Sequence, residues 1–267
     1  MERPAYVRDL GDLLGRGDID GFVRRCQENI QLVEGQLADA YPETAYVRED
    51  LARAYYELDD YFSAESQFRR ALEIHRQHGQ VVSDDAARCL GMLGRLALWT
   101  GRTAEAELLF CEALTLLDHV PADKQTSRGF VLIDLAQLHT WEGEYETAER
   151  LLHEAARQHL RSMGYCPGRL AFVYLHLSRA YLGQGRTSAA DKTLNKAIRY
   201  CIRGREVESA NFAALLTERG LLLERQQKVT NARGWHSAAL RILQRVRPHG
   251  CKLLERVQGR LARLAET

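Results

Sequence analysis

The 267-residue sequence contains few residues that interrupt helices. It has only five prolines, which lie far apart: Pro4, Pro42, Pro121, Pro167 and Pro248. The stretches between them are rich in helix-forming leucine, alanine, arginine and glutamate, so we expect an all-α fold. Hydrophobic residues make up 45% of the chain, which is enough to bury a continuous core and excludes disorder.

The sequence also lacks the marks of a membrane or secreted protein. No stretch approaches the roughly 18 apolar residues of a membrane span, and the N-terminal residues carry charge where a secretory signal needs an apolar core. None of the six cysteines forms a C-x-x-C pair, which favours reduced thiols over disulfides or a zinc site. We therefore expect a soluble, cytoplasmic protein without membrane association.

Sequence motifs for catalysis or metal binding are missing as well. The chain has no G-x-S-x-G, P-loop or H-E-x-x-H motif, and no carboxylate or cysteine is obviously placed to complete a metal site with His75 and His78. We expect those two histidines to form a surface pair. The sequence thus predicts no enzyme, no cofactor and no bound metal.

Charge is nearly balanced overall but unevenly distributed. The net charge is +1, yet residues 1–123 hold 13 Lys/Arg against 23 Asp/Glu, whereas residues 225–265 hold 10 against one. The chain is therefore acidic towards one end of its sequence and basic towards the other.

A 42-residue repeat runs through the sequence without insertions. Two sets of alanines recur at this spacing, seven residues apart, and a bulky residue follows each member of the first set by four positions. The first set is Ala64, Ala106, Ala148, Ala190 and Ala232; the second is Ala71, Ala113, Ala155, Ala197 and Ala239. The bulky residues are Phe68, Phe110, Leu152, Leu194 and His236. These positions predict one face of a helix.

A second pattern at the same period precedes the first. It consists of a leucine, a small residue and, three positions later, a residue that is usually aromatic, as in Leu51, Ala52 and Tyr55. Between the two patterns lies a turn with Gly17, Gly101, Gly143 or Gly185, a position where glycine commonly ends helices. Each repeat is therefore predicted to be a helix, a tight turn and a second helix, with the small residues permitting close helix packing.

These patterns together resemble the tetratricopeptide signature, and the 42-residue period is similar to that of kinesin light chains. The resemblance covers nearly the whole chain. It implies a right-handed superhelix, or α-solenoid, of about six helix-turn-helix repeats plus a C-terminal capping helix. We expect a single domain over 1–267, with a degenerate repeat at 3–44, clear repeats at 45–86, 87–128, 129–170 and 171–212, a weak repeat at 213–249 and the capping helix at 250–265.

In the tetratricopeptide family, the first helix of each pair lines a concave groove that binds partner polypeptides. The matching positions in this sequence are Asp50, Arg53, Tyr56, Arg95, Trp99, Asp134, Gln137, Trp141, His176 and Arg179. Arginine would donate to carboxylates or carbonyls of a bound segment, and tryptophan would supply apolar anchors. Alternatively, Asp50 and Arg53 pair with each other, and the tryptophans seal the contact between repeats.

The chaperone-binding members of the family use Lys and Asn at defined groove positions. Here Glu49 and Arg53 stand at the corresponding places. This departure argues against a chaperone-tail partner.

The basic C-terminal end offers a second candidate surface. Its arginines include Arg241, Arg245, Arg256, Arg260 and Arg263. They could bind nucleic acid or an acidic partner, or they could form the solvated cap that a repeat array needs. The opposite charges of the two ends also permit self-association.

The sequence alone therefore predicts a protein-interaction scaffold or adaptor that binds a protein or peptide in the groove. The alternative function is a nucleic-acid-associated or transcription-regulatory module that acts through the basic end. We place the groove of the middle repeats ahead of the basic end.

Overall fold

The computed structural model describes residues 19–36, 43–162, 166–246 and 251–265. Within these residues the fold is all-α, with twelve α-helices, a short 3-10 helix at Ala122–Lys124 and no strand. The α-helices are α1 Ile19–Gln36, α2 Glu43–Glu57, α3 Tyr61–Gln77, α4 Asp84–Trp99, α5 Thr103–Asp118, α6 Arg128–Glu142, α7 Tyr145–Ser162, α8 Pro167–Gly183, α9 Thr187–Arg203, α10 Ala210–Arg225, α11 Val229–Val246 and α12 Lys252–Ala265.

The chain divides into two compact units, 1–134 and 135–267. In the first unit, α2 pairs with α3 and α4 with α5, while α1 packs on α2 and α3 packs on α4. The core beneath α1 and α2 is formed by Phe22, Cys26, Ile30, Val47, Leu51 and Ala54. This unit is therefore a stack of antiparallel helix pairs in chain order.

The second unit repeats the same arrangement. Helix α8 pairs with α9 and α10 with α11, while α7 packs on α8 and α9 packs on α10. The final helix α12 packs on α11 and contributes the fully buried Val257 to a cluster with Ala213, Leu216, Ala239 and Leu243. Helix α12 thus covers the apolar surface of the last helix pair.

The 42-residue period places the small and bulky residues of the second helices in the core. Both alanine sets are at most 1% exposed, and so are the bulky residues four positions after the first set. This burial agrees with the prediction that the helix contact requires alanine at these sites. Because protein interiors are close-packed, a larger side chain would overlap with its neighbours.

Close helix approach is clearest where glycine faces a ring. A Cβ added at Gly94 in α4 would lie 2.6 Å from the ring of Phe110 in α5, and one added at Gly220 would lie 2.5 Å from His236. Gly94 and Gly220 occupy the same repeat position as Ala52. The small residue of the first helix therefore makes room for the bulky residue of the second.

The turn inside each pair has a left-handed residue at one repeat position. Gly101, Gly143 and Gly185 have φ of 82°, 85° and 73°. Asp59 and Gln227, at the same phase in other repeats, have φ of 61° and 59° without being glycine. The turn geometry is thus kept at five positions, and two of them tolerate the strain of a side chain in this region.

Some sequence expectations fall outside the described residues or differ in detail. Gly17, Pro42 and Pro248 are not described, and neither is the first helix expected for the 3–44 repeat. Pro167 lies within the repeat predicted for 129–170, yet it is the first residue of α8, where its missing N–H leaves no helical hydrogen bond unmade. No helix in the described ranges is long and apolar enough to cross a bilayer.

Candidate functional site

Two arginines of the predicted groove lie in ion pairs between consecutive first helices. In the first unit, Arg95 of α4 donates to both carboxylate oxygens of Asp134 in α6, with N–O distances of 2.8–3.1 Å. In the second unit, Arg179 of α8 donates to Oε1 of Glu218 in α10 at 2.7 and 2.8 Å. In both cases the partners are 39 residues apart. These arginines hold neighbouring repeats together.

Burial accompanies these ion pairs. The side chain of Asp134 is 7% exposed and that of Arg95 is 21% exposed. Burial raises the pKa of the Asp134 carboxyl, and the Arg95 guanidinium partly offsets this effect. Removing one partner would leave the other charge buried, so Arg95 and Asp134 are primarily packing residues.

Arg53 differs from the other two arginines because its inter-repeat partner is missing. Met92 stands in α4 at the repeat position that Asp134 holds in α6. Instead, Nη1 of Arg53 lies 3.2 Å from Oδ1 of Asp50 and Nη2 lies 3.6 Å from Oε2 of Glu49, both on its own helix. The Arg53 side chain is 47% exposed. The alternative interpretation that Asp50 and Arg53 pair with each other is therefore observed, yet the guanidinium still faces solvent.

The two tryptophans of the predicted groove are exposed. Trp99, the last residue of α4, is 38% exposed, and Trp141, near the end of α6, is 51% exposed. Each tryptophan therefore presents part of its side chain at the surface. Trp99 belongs to the first unit and Trp141 to the second.

The remaining groove positions are less accessible. Tyr56 is half-buried, and its ring centroid lies 5.8 Å from that of Tyr61. Gln137 is half-buried as well, whereas His176 is 4% exposed and meets the ring of Phe172 edge-on at 4.7 Å. Burial thus divides the ten predicted residues into an accessible group and a packing group.

The basic end is partly neutralised by acidic residues. Arg245 pairs with Glu208, and Arg260 donates to Oε2 of Glu224 at 2.9 Å. The other three predicted residues, Arg241, Arg256 and Arg263, are exposed. Helix α12 therefore has two roles: it carries part of the positive charge of the basic end, and it caps the second unit.

A buried polar network in the first unit was missed by the sequence reasoning. Glu49 of α2 is 1% exposed; its Oε1 lies 3.0 Å from Nε2 of His75, and its Oε2 accepts from Arg88 at 2.7 and 2.8 Å. The expectation that His75 and His78 form a surface pair is wrong, because His75 is fully buried while His78 ends α3 in solvent. Glu49 likewise cannot line a groove.

A signal for this network was present in the repeat pattern. At the position of His75 the other repeats have Leu117, His159, Cys201 and Leu243, which the period marks as core. A polar residue at a core position of the repeat indicates a buried polar site, and that criterion would have selected His75 and His159.

The repeat geometry agrees with two family-model matches. Models described as tetratricopeptide repeat match residues 44–78, which cover α2 and α3, and residues 173–201, within α8 and α9. Each match spans one helix-turn-helix unit of the array described above. The chain is a tetratricopeptide repeat protein.

Solved structures of other proteins share the fold. BtubC (BKLC) from P. vanneervenii is 20% identical with a TM-score of 0.60, and the match covers 74% of this chain and 80% of that one. A chain from Podosopora anserina described as kinesin light chain with nearly identical TPR-like repeats is 20% identical, with a TM-score of 0.54 over 76% of this chain and 98% of that one. The kinesin-light-chain resemblance is confirmed at the level of fold.

A second group of similar structures comprises Rap proteins. The Rap conjugation gene regulator of plasmid pLS20, solved with a Phr peptide, is 17% identical with a TM-score of 0.69, covering 96% of this tetratricopeptide repeat chain and 73% of that chain. A Rap protein complexed with Competence and Sporulation Factor is 13% identical with a TM-score of 0.68, and the match covers 98% of this chain and 74% of that one. No curated protein sequence matches this chain.

Proposed function

We propose that this protein is a non-enzymatic interaction scaffold whose first helices bind a segment of another polypeptide. The observation that carries the proposal is the exposure of Trp99 and Trp141 on first helices, with the solvent-facing Arg53 also on a first helix. Tryptophan and arginine are the side chains that contribute most to protein interfaces. Each unit offers one such tryptophan.

The solved complexes support the same proposal. Two Rap proteins with a similar fold have solved structures in complex with a Phr peptide or with Competence and Sporulation Factor. A helical array of this kind can therefore accommodate a second molecule, and we infer that this chain does so with a polypeptide. Six free cysteines, all within the described residues, agree with a reducing compartment such as the cytoplasm.

The accessible residues define the proposed contact surfaces. Arg53 and Trp99 belong to the first-unit surface, with Asp50 and Tyr56 beside Arg53 on α2; Trp141 and Gln137 belong to the second-unit surface. Arg95, Asp134, His176 and Arg179 support these surfaces from within the packing. An arginine variant at position 95 or 179 would disturb the repeats and is unsuitable as a test of binding.

The proposal is tested by quantitative affinity purification with tag-matched protein. We expect Trp99→Ala with Arg53→Ala, or Trp141→Ala alone, to reduce recovery of the bound polypeptide about tenfold or more, which corresponds to the ~1.4 kcal/mol or more lost at an interface anchor. The matched control is Phe62→Ala with Arg70→Ala on the second helix α3, where Phe62 is 86% exposed and Arg70 is also exposed.

The control should retain the polypeptide at the wild-type level. If the control loses it and the first-helix variants keep it, binding takes place on the second helices and the proposal is wrong. Circular dichroism checks that all variants keep their helical content.

The ion pairs at the basic end favour a polypeptide over nucleic acid as the partner. Two of the five arginines predicted to form this surface already have carboxylate partners, which leaves fewer cations for phosphates. A gel shift with salt titration separates the two functions, because binding through phosphate contacts must weaken steeply as the salt concentration rises. We expect no shift at moderate salt.

A further inference from the structure

Three side chains with metal-binding groups meet in the core of the first unit. Glu49 of α2, His75 of α3 and Cys89 of α4 each point one potential ligand atom at a common place, and these atoms all lie within 4.8 Å of one another. All three residues are at most 1% exposed. A tetrahedral ion at their centre would need only small side-chain shifts to reach bond lengths of ~2.0–2.3 Å.

The same three positions form an apolar set three repeats later in the chain. Adding 126 to each number gives Leu175, Cys201 and Leu215, which lie in one hydrophobic cluster of the second unit. Such a junction between repeats therefore needs no polar group to pack. Burying a carboxylate, an imidazole and a thiol at one junction costs free energy that the apolar set avoids, so the polar set calls for another explanation.

The chemistry of the set selects the ion. Sulfur, imidazole nitrogen and carboxylate oxygen together are ligands of zinc and similar divalent transition metals, whereas calcium and magnesium require oxygen ligands alone. Oε2 of Glu49 is held by Arg88, which leaves Oε1 for the ion. Hydrogen bonds that orient a ligating carboxylate in this way are typical of metal sites. We propose that Glu49, His75 and Cys89 bind one zinc-like divalent ion.

Local charge is compatible with an ion at this place. The charged group around the three side chains consists of Glu49, Arg88 and Asp85, because Arg88 pairs with both carboxylates. The charge of the nearby Arg53 is balanced by Asp50. The metal-free group carries one net negative charge. Binding of a divalent cation with release of the thiol proton to solvent makes it neutral.

The buried thiol holds its proton when no metal is present. Burial, with Glu49 beside it, raises the pKa of Cys89 well above its ordinary value. Metal binding must therefore displace the proton from sulfur, and the neutral imidazole must carry its N–H on Nδ1 so that Nε2 can bind the ion. The affinity should accordingly rise with pH.

Cobalt is the probe, because Co²⁺ reports its ligands by absorption. Tag-free protein is unfolded, refolded with Co²⁺ under reducing conditions and desalted, so that burial does not prevent entry. We expect one ion per chain, intense visible bands of a tetrahedral centre and a thiolate-to-cobalt charge-transfer band. Zinc should displace cobalt, remove these bands and raise the melting temperature relative to metal-free protein.

The chain supplies matched variants from its own repeats. Cys89→Val and His75→Leu introduce the residues found at equivalent positions, Val131 and Leu117, so these variants should fold. We expect both to weaken cobalt binding by about tenfold or more and Cys89→Val to abolish the charge-transfer band. The control Cys201→Leu should keep the band unchanged.

Two results would overturn the proposal. One is the absence of a charge-transfer band in refolded wild-type protein. The other is a band that survives Cys89→Val, which would place the thiolate at another cysteine, such as the exposed Cys111. Helical content measured by circular dichroism distinguishes both from a failure to fold.

Discussion

His159 lies in α7 at the core position that leucine occupies in α5 and α11, and its residue is 1% exposed. Burial, with a contribution from Arg169, lowers the pKa of His159 from its usual 6.5 to about 4. The folded chain thus keeps this imidazole neutral at a pH where the unfolded chain protonates it. The contribution of the neutral His159 to the free energy of unfolding is present in full above pH 6.5 and is lost as the pH falls towards 4.

We expect His159→Leu to remove this acid sensitivity. Leu117 and Leu243 show that leucine fits the equivalent positions. In urea unfolding, the wild type should lose about 2–3 kcal/mol more than the variant between pH 7 and pH 4. The exposed His119, changed to Leu, serves as a control and should follow the wild type. Parallel pH profiles for wild type and His159→Leu would show that another group governs the acid response.

At the scale of the helix pair, fold and site differ in how far the sequence predicts them. The 42-residue period predicts which residues face the partner helix, because packing within a pair depends on spacing along one helix face. It does not predict that Arg95 meets Asp134, since that contact depends on how one repeat stacks on the next. Met92 shows the limit: one substitution in the neighbouring repeat leaves Arg53 solvent-facing while Arg95 is half-buried.

Glycine in α4 provides a direct test of packing within a pair. Gly94→Ala places a methyl group 2.6 Å from the Phe110 ring, which must shift, so we expect a loss of about 1–3 kcal/mol. Adding Phe110→Leu should recover part of this loss, because a neighbouring repeat combines Ala136 with Leu152 at these positions. Urea unfolding of the single and double variants measures both effects.

The control for Gly94 is another helical glycine. A Cβ at Gly234 in α11 would meet nothing within 4 Å, so Gly234→Ala should be neutral or stabilise by up to about 1 kcal/mol. If both alanine variants change stability equally, helix propensity and not the fit against Phe110 determines the result. Failure of Phe110→Leu to recover any stability would lead to the same conclusion.

For the whole molecule, helices in a repeat array gain stability mainly from their sequence neighbours. The chain separates into two compact units, and α12 closes the second through Val257, which is fully buried against residues of α10 and α11. A charge at this position must either be buried unpaired or force α12 away from the pair. Either outcome destabilises the second unit directly, while the first unit keeps its own core around Phe22, Leu51 and Phe68.

We therefore expect Val257→Asp to act locally. Hydrogen–deuterium exchange should show faster exchange in α10, α11 and α12 and unchanged protection in α2 to α5, because opening free energies differ between contiguous segments of a repeat array. Arg256→Asp, an exposed change on the same helix with a larger change of charge, is the matched control and should leave all protection unchanged. Equal loss of protection in both units after Val257→Asp would mean that the array opens as one cooperative body, since only then could a charge beneath α12 reach the core at Phe68.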